Sequence, residues 1–315
     1  FAQEFNMTSD SHLFTSRRKL EDIELLKLDE DTRDPRVRVR LWKDGYVPLF
    51  EGRSFHHFNP AWFPQKHFIK IENCLTKQSV KFLNNKYVCR LISSATNERT
   101  LIGGFVKGPC VFGHNVGVWV FTGNAVEIKN SYLIFNSFVL DYFMRKKGLV
   151  YLSFIDLFSI PLLRHNSKMF LNKFDDLLFK ESLSPFDKLK MRCELDAVIC
   201  DLYKLTEDEV VNLLTVDEND PTGFWRVDKT LPIEQRQTTL TLEAFKQLKQ
   251  VGLERFLEEG WELPDYVTKF DRPGIKIWEP EGGWENAWAE AKAMLTEKEW
   301  KEFTGESVVE SDGSS

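Results

Sequence analysis

The chain has 315 residues, of which 42% are hydrophobic and 29% charged, an ordinary globular composition made aromatic-rich by 26 Phe and 9 Trp. No apolar run reaches the roughly 18 residues that a membrane helix needs, and the N-terminus lacks the basic-then-apolar layout of a signal peptide. The net charge of −6 hides a split: residues 1–180 carry 26 Lys+Arg against 18 Asp+Glu, and residues 181–315 carry 16 against 30. Such asymmetry suggests a basic part that meets an anion and an acidic part that does not, or else two domains that differ without consequence. The five cysteines never form a CxxC pair, so reduced thiols and a cytoplasmic location are expected, with no disulfide framework and no zinc knuckle. The opening at Phe1 rather than Met suggests a piece of a longer chain.

In chain order, "RVRVRLWKDGYVPLF" (36–50) reads as a hairpin. Val37, Val39 and Leu41 alternate with Arg36, Arg38 and Arg40, and Asp44-Gly45 supplies the turn. The row of guanidiniums is either a solvated edge face or a phosphate-facing stripe. Apolar runs at 86–92, 101–106 and 110–121 predict strands, with glycines at turns or bulges. From 131 the spacing becomes helical, with Asn130 or Ser131 as N-cap and Gly148 as the stop. Arg145, Lys146 and Lys147 close that helix, where they complement its dipole or reach phosphates. Further helices are expected at 185–203, from Thr206 with Glu209 in the capping-box position, at about 241–257, and in the Trp-rich segment near Trp284, Trp288 and Trp300. The final "GESVVESDGSS" reads as frayed.

Chemistry has few footholds. The chain contains no GxSxG, no HExxH and no Walker lysine loop. His56 and His57, read as neighbours in a strand, point to opposite faces, and no carboxylate or Cys recurs at ligand spacing, so no metal site is expected. "FNPAWF" (58–63) approaches the Asn-Pro-Pro-aromatic tetrad of amino-group methyltransferases, but Ala61 occupies the third position and the segment reads better as a proline-interrupted loop.

Several segments, in order, resemble the region that follows the catalytic domain in large adenine-specific DNA methyltransferases of type IIG restriction–modification enzymes and of BREX- and DISARM-like phage-defence systems. The carriers are "FNMTSDSHLF" (5–14), "DGYVPLFEGRSFHHF" (44–58), "SSATNERTLIGGFV" (93–106), "LIFNSFVLDYFMRKK" (133–147), "ELDAVICDLYKLTEDEVVNLL" (194–214) and "GFWRVDKTLPIEQRQTTLTLEAF" (223–245). They cover about residues 1–250; the chain departs from the pattern at Asn59, Pro60 and Ala61, where Asp-His-Arg is usual, and at Lys204, where Gly is common.

The resemblance implies a target-recognition module for double-stranded DNA with no catalytic residue of its own. The catalytic domain and its S-adenosylmethionine would lie upstream or on a separate subunit, and helicase or nuclease subunits of a defence system would be further partners. The expected fold is α+β: a β-rich part (1–130), a helical part (131–215) and an acidic helical extension (216–315) that supports or docks. Candidate DNA-binding residues are Arg36, Arg38, Arg40, Arg53, Arg90, Asn97, Arg99, Thr100, Lys107, His114, Asn115, Arg145, Lys146 and Lys147. Arg90 and Arg99 are the candidates for base-edge contact. Alternatively, Arg99 pairs with Glu98 or another acid to hold the fold. Two other functions stay open: a self-contained methyltransferase using Gly103, Gly104, Phe105 and "FNPAW", and a scaffold whose acidic C-terminus docks a partner.

Overall fold

A computed structural model describes residues 1–80, 83–93, 97–120, 124–149, 151–220, 222–267, 272, 275 and 278–305. Residues 94–96 of the Asn97 segment and the acidic tail 306–315 therefore lie outside the described residues. The chain is α+β, with its strands in the N-terminal part and helices dominating the remainder. Two compact units emerge: Phe1–Cys89 with Gly104–Val120 and Ile277–Ser315, and Arg90–Gly103 with Phe121–Lys276.

The first unit begins with β1 (Phe14–Ser16), α1 (Arg17–Asp22), α2 (Pro35–Lys43), β2 (Tyr46–Phe50), β3 (His67–Lys70) and α3 (Ile71–Thr76). It continues through β4 (Lys86–Arg90), β5 (Gly103–Val106), β6 (Val111–Phe112) and β7 (Val116–Val118). One sheet has the order β1-β3-β2-β6 and the other β5-β4-β7. β3 lies antiparallel to both neighbours, with Thr15 opposite Phe68 and Val47 opposite Ile69, while β2 and β6 run parallel.

The expected hairpin at 36–50 is instead α2 followed by β2. The local signals for a helix are Asp34, whose side chain accepts from the Arg36 N–H, and Pro35 in the first turn. The alternating pattern misled because both sides of α2 are covered. Val37 and Leu41, one turn apart, pack with Leu20, Tyr46 and Phe68. Val39 joins Ala291 and Phe303.

The second unit holds α4 (Ala125–Phe135), α5 (Phe138–Lys146), α6 (Phe154–Phe158), α7 (Lys168–Phe174), α8 (Asp176–Phe179), α9 (Pro185–Leu202), α10 (Glu207–Leu213), α11 (Gln237–Val251) and α12 (Leu253–Glu259). The single helix expected from 131 is two. Asn124, not Asn130 or Ser131, caps α4, and Ser137 caps a new start by accepting from the Leu140 N–H. Asn130 is buried within α4 and donates to the carbonyls of His165 and Ser167. Gly148 does follow the end of α5, at φ +67°. α9 has its N-cap Ser184 ahead of Pro185 and buries Leu189, Leu195, Val198 and Ile199, and Thr206 and Glu209 form the capping box of α10.

The chain returns to the first unit with α13 (Trp284–Ala293) and α14 (Glu297–Thr304). Trp42, Trp288 and Trp300 surround the Val39–Ala291–Phe303 cluster. Gly108, at φ +75°, lets the backbone pass under this cap: a Cβ there would sit 3.1 Å from Phe303 and 3.3 Å from the Arg38 guanidinium.

Candidate functional site

The polar run Asn97–Thr100 takes part in a buried charge network in the second unit. Arg99 and Thr100 are buried. The Arg99 Nη2 lies 3.1 Å from an Asp196 carboxylate oxygen on α9, and its guanidinium is stacked on Phe138 with Cζ 3.3 Å from the ring centre. The other Asp196 oxygen accepts from the Phe138 N–H at 2.7 Å, so one carboxylate both pairs with Arg99 and takes an otherwise unmatched donor at the start of α5.

Four turns of chain are drawn together in this way. Asp141, in the first turn of α5, accepts from the Thr100 N–H at 2.9 Å and the Leu101 N–H at 3.3 Å. Asn136 accepts from the Gly103 N–H at 2.8 Å and donates to the Tyr132 carbonyl. Any Cβ on Gly103 would lie within 2.6 Å of both Asn136 and Tyr132, so glycine is required by close approach. Arg145 is fully buried beside Asp141 and donates to the carbonyls of Asn97, Glu98 and Gly223. Asp228, at φ +53°, accepts from Arg272 and from the Gln237 N–H.

Burial dominates the electrostatics. It pushes the Asp196 carboxyl up against the opposing pull of Arg99, and pushes the Arg192 guanidinium down to about 9. The Glu98 carboxyl is pushed up to about 7 by burial and then by the charge of Asp228. Folded protein therefore holds this proton more tightly than unfolded protein. The associated stability is complete below the ordinary value of 4.5 and is lost as pH rises through about 7. Glu98→Gln, neutral throughout, should melt higher than the parent at about pH 8 by the equivalent of about 2 kcal/mol and match it at about pH 4. Thermal melts across that range check this; equal gains at both ends would remove Glu98 from the account.

The candidate DNA-binding residues fall into distinct environments. Arg38, Arg99, Thr100 and Arg145 are buried, so none presents its polar group to a groove. Arg38 donates to the Lys107 carbonyl at 2.5 Å. Arg36 pairs with Asp34 and Glu290, and Arg40 with Glu30. The helical turn of α2 sets Arg38 apart from Arg36 and Arg40, which lie one turn apart and are each paired with acids. Arg90 is half-buried, and burial lowers its guanidinium to about 10. Lys107, His114 and Asn115 are half-buried; the His114 ring accepts from the Met7 N–H and its carbonyl from Gln3. Arg53, Asn97, Lys146 and Lys147 are exposed. The residues that reasoning from sequence missed are the acids: Asp141, Asp196 and Asp228, each inside a quoted segment but silent about its partner.

His56 and His57 lie in a tight turn rather than a strand. His56 and Asn59 exchange backbone hydrogen bonds, Phe58 sits at φ +51°, and the Asn59 side chain accepts from the Ala61 N–H. That amide is occupied in shaping the loop. No group of three or more His, Cys, Asp or Glu placed to hold a metal occurs among the described residues. No helix among them is long and apolar enough to cross a membrane. An apolar groove of about 430 Å³ lies between α5 and α10, lined in part by Val139, Phe143, Pro161, Tyr203 and Leu213. Comparison with protein-family models, with curated proteins and with solved structures gives no match in any of the three.

Proposed function

We propose that this chain is the DNA target-recognition module of an S-adenosylmethionine-dependent, adenine-specific methyltransferase in a restriction–modification or phage-defence system of the cytoplasm. One observation carries the reading. Four of the six segments that resemble such enzymes converge on one network: Asn97, Glu98, Arg99 and Thr100 from 93–106, Asn136, Asp141 and Arg145 from 133–147, Asp196 from 194–214, Gly223 and Asp228 from 223–245. Residues separated by as many as 97 positions meet in complementary pairs, which gives the ordered resemblance a physical basis. In this reading the network is a rigid frame and the exposed cations bear on DNA. The methyl donor and the catalytic tetrad belong to an upstream domain or separate subunit, with helicase or nuclease subunits as further partners.

The test is binding of the whole chain to duplex DNA as salt is varied. Lys146→Gln and Lys147→Gln should each flatten the slope of log K against log salt by about 0.9. Arg38→Gln should instead lower the melting temperature and leave the slope alone, because its guanidinium is committed to backbone carbonyls. Absence of salt-dependent binding to any duplex would defeat the reading.

A further inference from the structure

Lys86 and Lys188 are the buried lysines among the described residues, and they are matched very differently. The Lys86 ammonium sits 2.6 Å from a Glu4 carboxylate oxygen and 2.9 Å from the Cys110 carbonyl. Lys188, near the start of α9, is 5% exposed. Among the described residues its amine makes no hydrogen bond and no ion pair. Arg192, one turn further along the same face, is 3% exposed.

A buried ammonium without a partner is costly, and a lysine escapes that cost by giving up its proton. Burial and then the charge of Arg192 push the Lys188 amine down to about 7, with Glu181 opposing them. At about pH 8 such an amine is unprotonated about 300 times as often as one at the ordinary 10.5.

An unprotonated amine is a nucleophile. The cover over Lys188 excludes bulky electrophiles and admits small, uncharged ones. Charge decides among these. An aldehyde would leave a neutral or cationic imine, and a cation there meets the same repulsion from Arg192 as the ammonium does. Carbon dioxide leaves an anion shaped like a carboxylate, which a guanidinium fork attracts and matches. The neighbour that disfavours the ammonium therefore favours this adduct.

We propose that Lys188 is a carbamylation site for carbon dioxide, with Arg192 as the cation that holds the carbamate. The lone pair of the Lys188 nitrogen attacks the carbon of carbon dioxide. An N–C bond forms, one C–O π bond breaks to leave its electron pair on oxygen, and an N–H proton passes to solvent. The inference is independent of the DNA-recognition reading, since no nucleic acid enters it.

The experiment exposes the whole chain to isotopically labelled bicarbonate at about pH 8 and reads the carbamate carbon by NMR. Trapping with a trialkyloxonium salt, followed by peptide mass analysis, locates it. The folded parent should carry the carbamate on the peptide that contains Lys188. Lys188→Met should lose that signal and melt at or above the parent, because a thioether is buried at less cost than an amine. The parent in guanidinium chloride should lose the signal too, because the exposed amine returns to its ordinary value. Absence of label at Lys188 under saturating carbon dioxide overturns the proposal. So does label confined to other amines, or label at Lys188 that is equal in folded and denatured protein. Should Lys188→Met fail to fold, the comparison of folded with denatured parent decides.

Discussion

Replacing Arg99 with alanine should destabilise the second unit by about 3–5 kcal/mol, because it leaves the Asp196 carboxylate buried without its paired guanidinium. For a unit of this size that is a fall of roughly 10 °C or more in melting temperature. The loss is larger than a surface pair could cause, since both side chains are about nine-tenths buried or more and Arg99 also covers the Phe138 ring. Asp196→Ala should be similarly costly, because the same carboxylate holds the Phe138 N–H at the start of α5. The double variant should cost less than the sum of the two, by about 0.5–3 kcal/mol, the coupling between contacting residues. Calorimetric melts of the four proteins test this. A stable Arg99→Ala protein with relaxed sequence preference would restore Arg99 to the base-reading role.

The second large effect is expected in the first unit. Phe303→Ala should cost about 3–5 kcal/mol, the usual range for emptying a buried aromatic site. Phe303 is 1% exposed, packs edge-on to Trp42 at 5.6 Å and shares a cluster with Val39. The acidic C-terminal helices therefore belong to the core around α2, and Arg36 to Glu290 extends the contact at its rim. Chemical denaturation with tryptophan fluorescence would follow this unit, since Trp42, Trp288 and Trp300 surround the site. A variant with unchanged stability would mean that the helices rest on α2 without contributing to it.

The same two sites separate the legible part of the sequence from the rest. Signals that act within a few residues were legible: Thr206 with Glu209, Gly148 past α5, and the apolar side of α9 are each set by local backbone geometry or helical spacing. The α+β order of elements came from the same kind of signal. The residue types of the network were equally visible, as runs of Asn, Glu, Arg and Asp in the quoted segments. Their roles were not. Whether Arg99 faces solvent or Asp196 depends on a partner 97 positions away, and no local rule specifies that distance. Arg36, Val37 and Arg38 likewise read as a strand until Ala291 and Phe303 cover the far side of α2. Period alone reports how many faces are buried, and only tertiary packing says which neighbour buries each. Local sequence signals thus set the stop after α5, the start of α10 and the residue types available for a site. Tertiary structure decided which charges are spent inside the fold and which remain for a ligand, because burial makes pairing obligatory and solvent exposure does not.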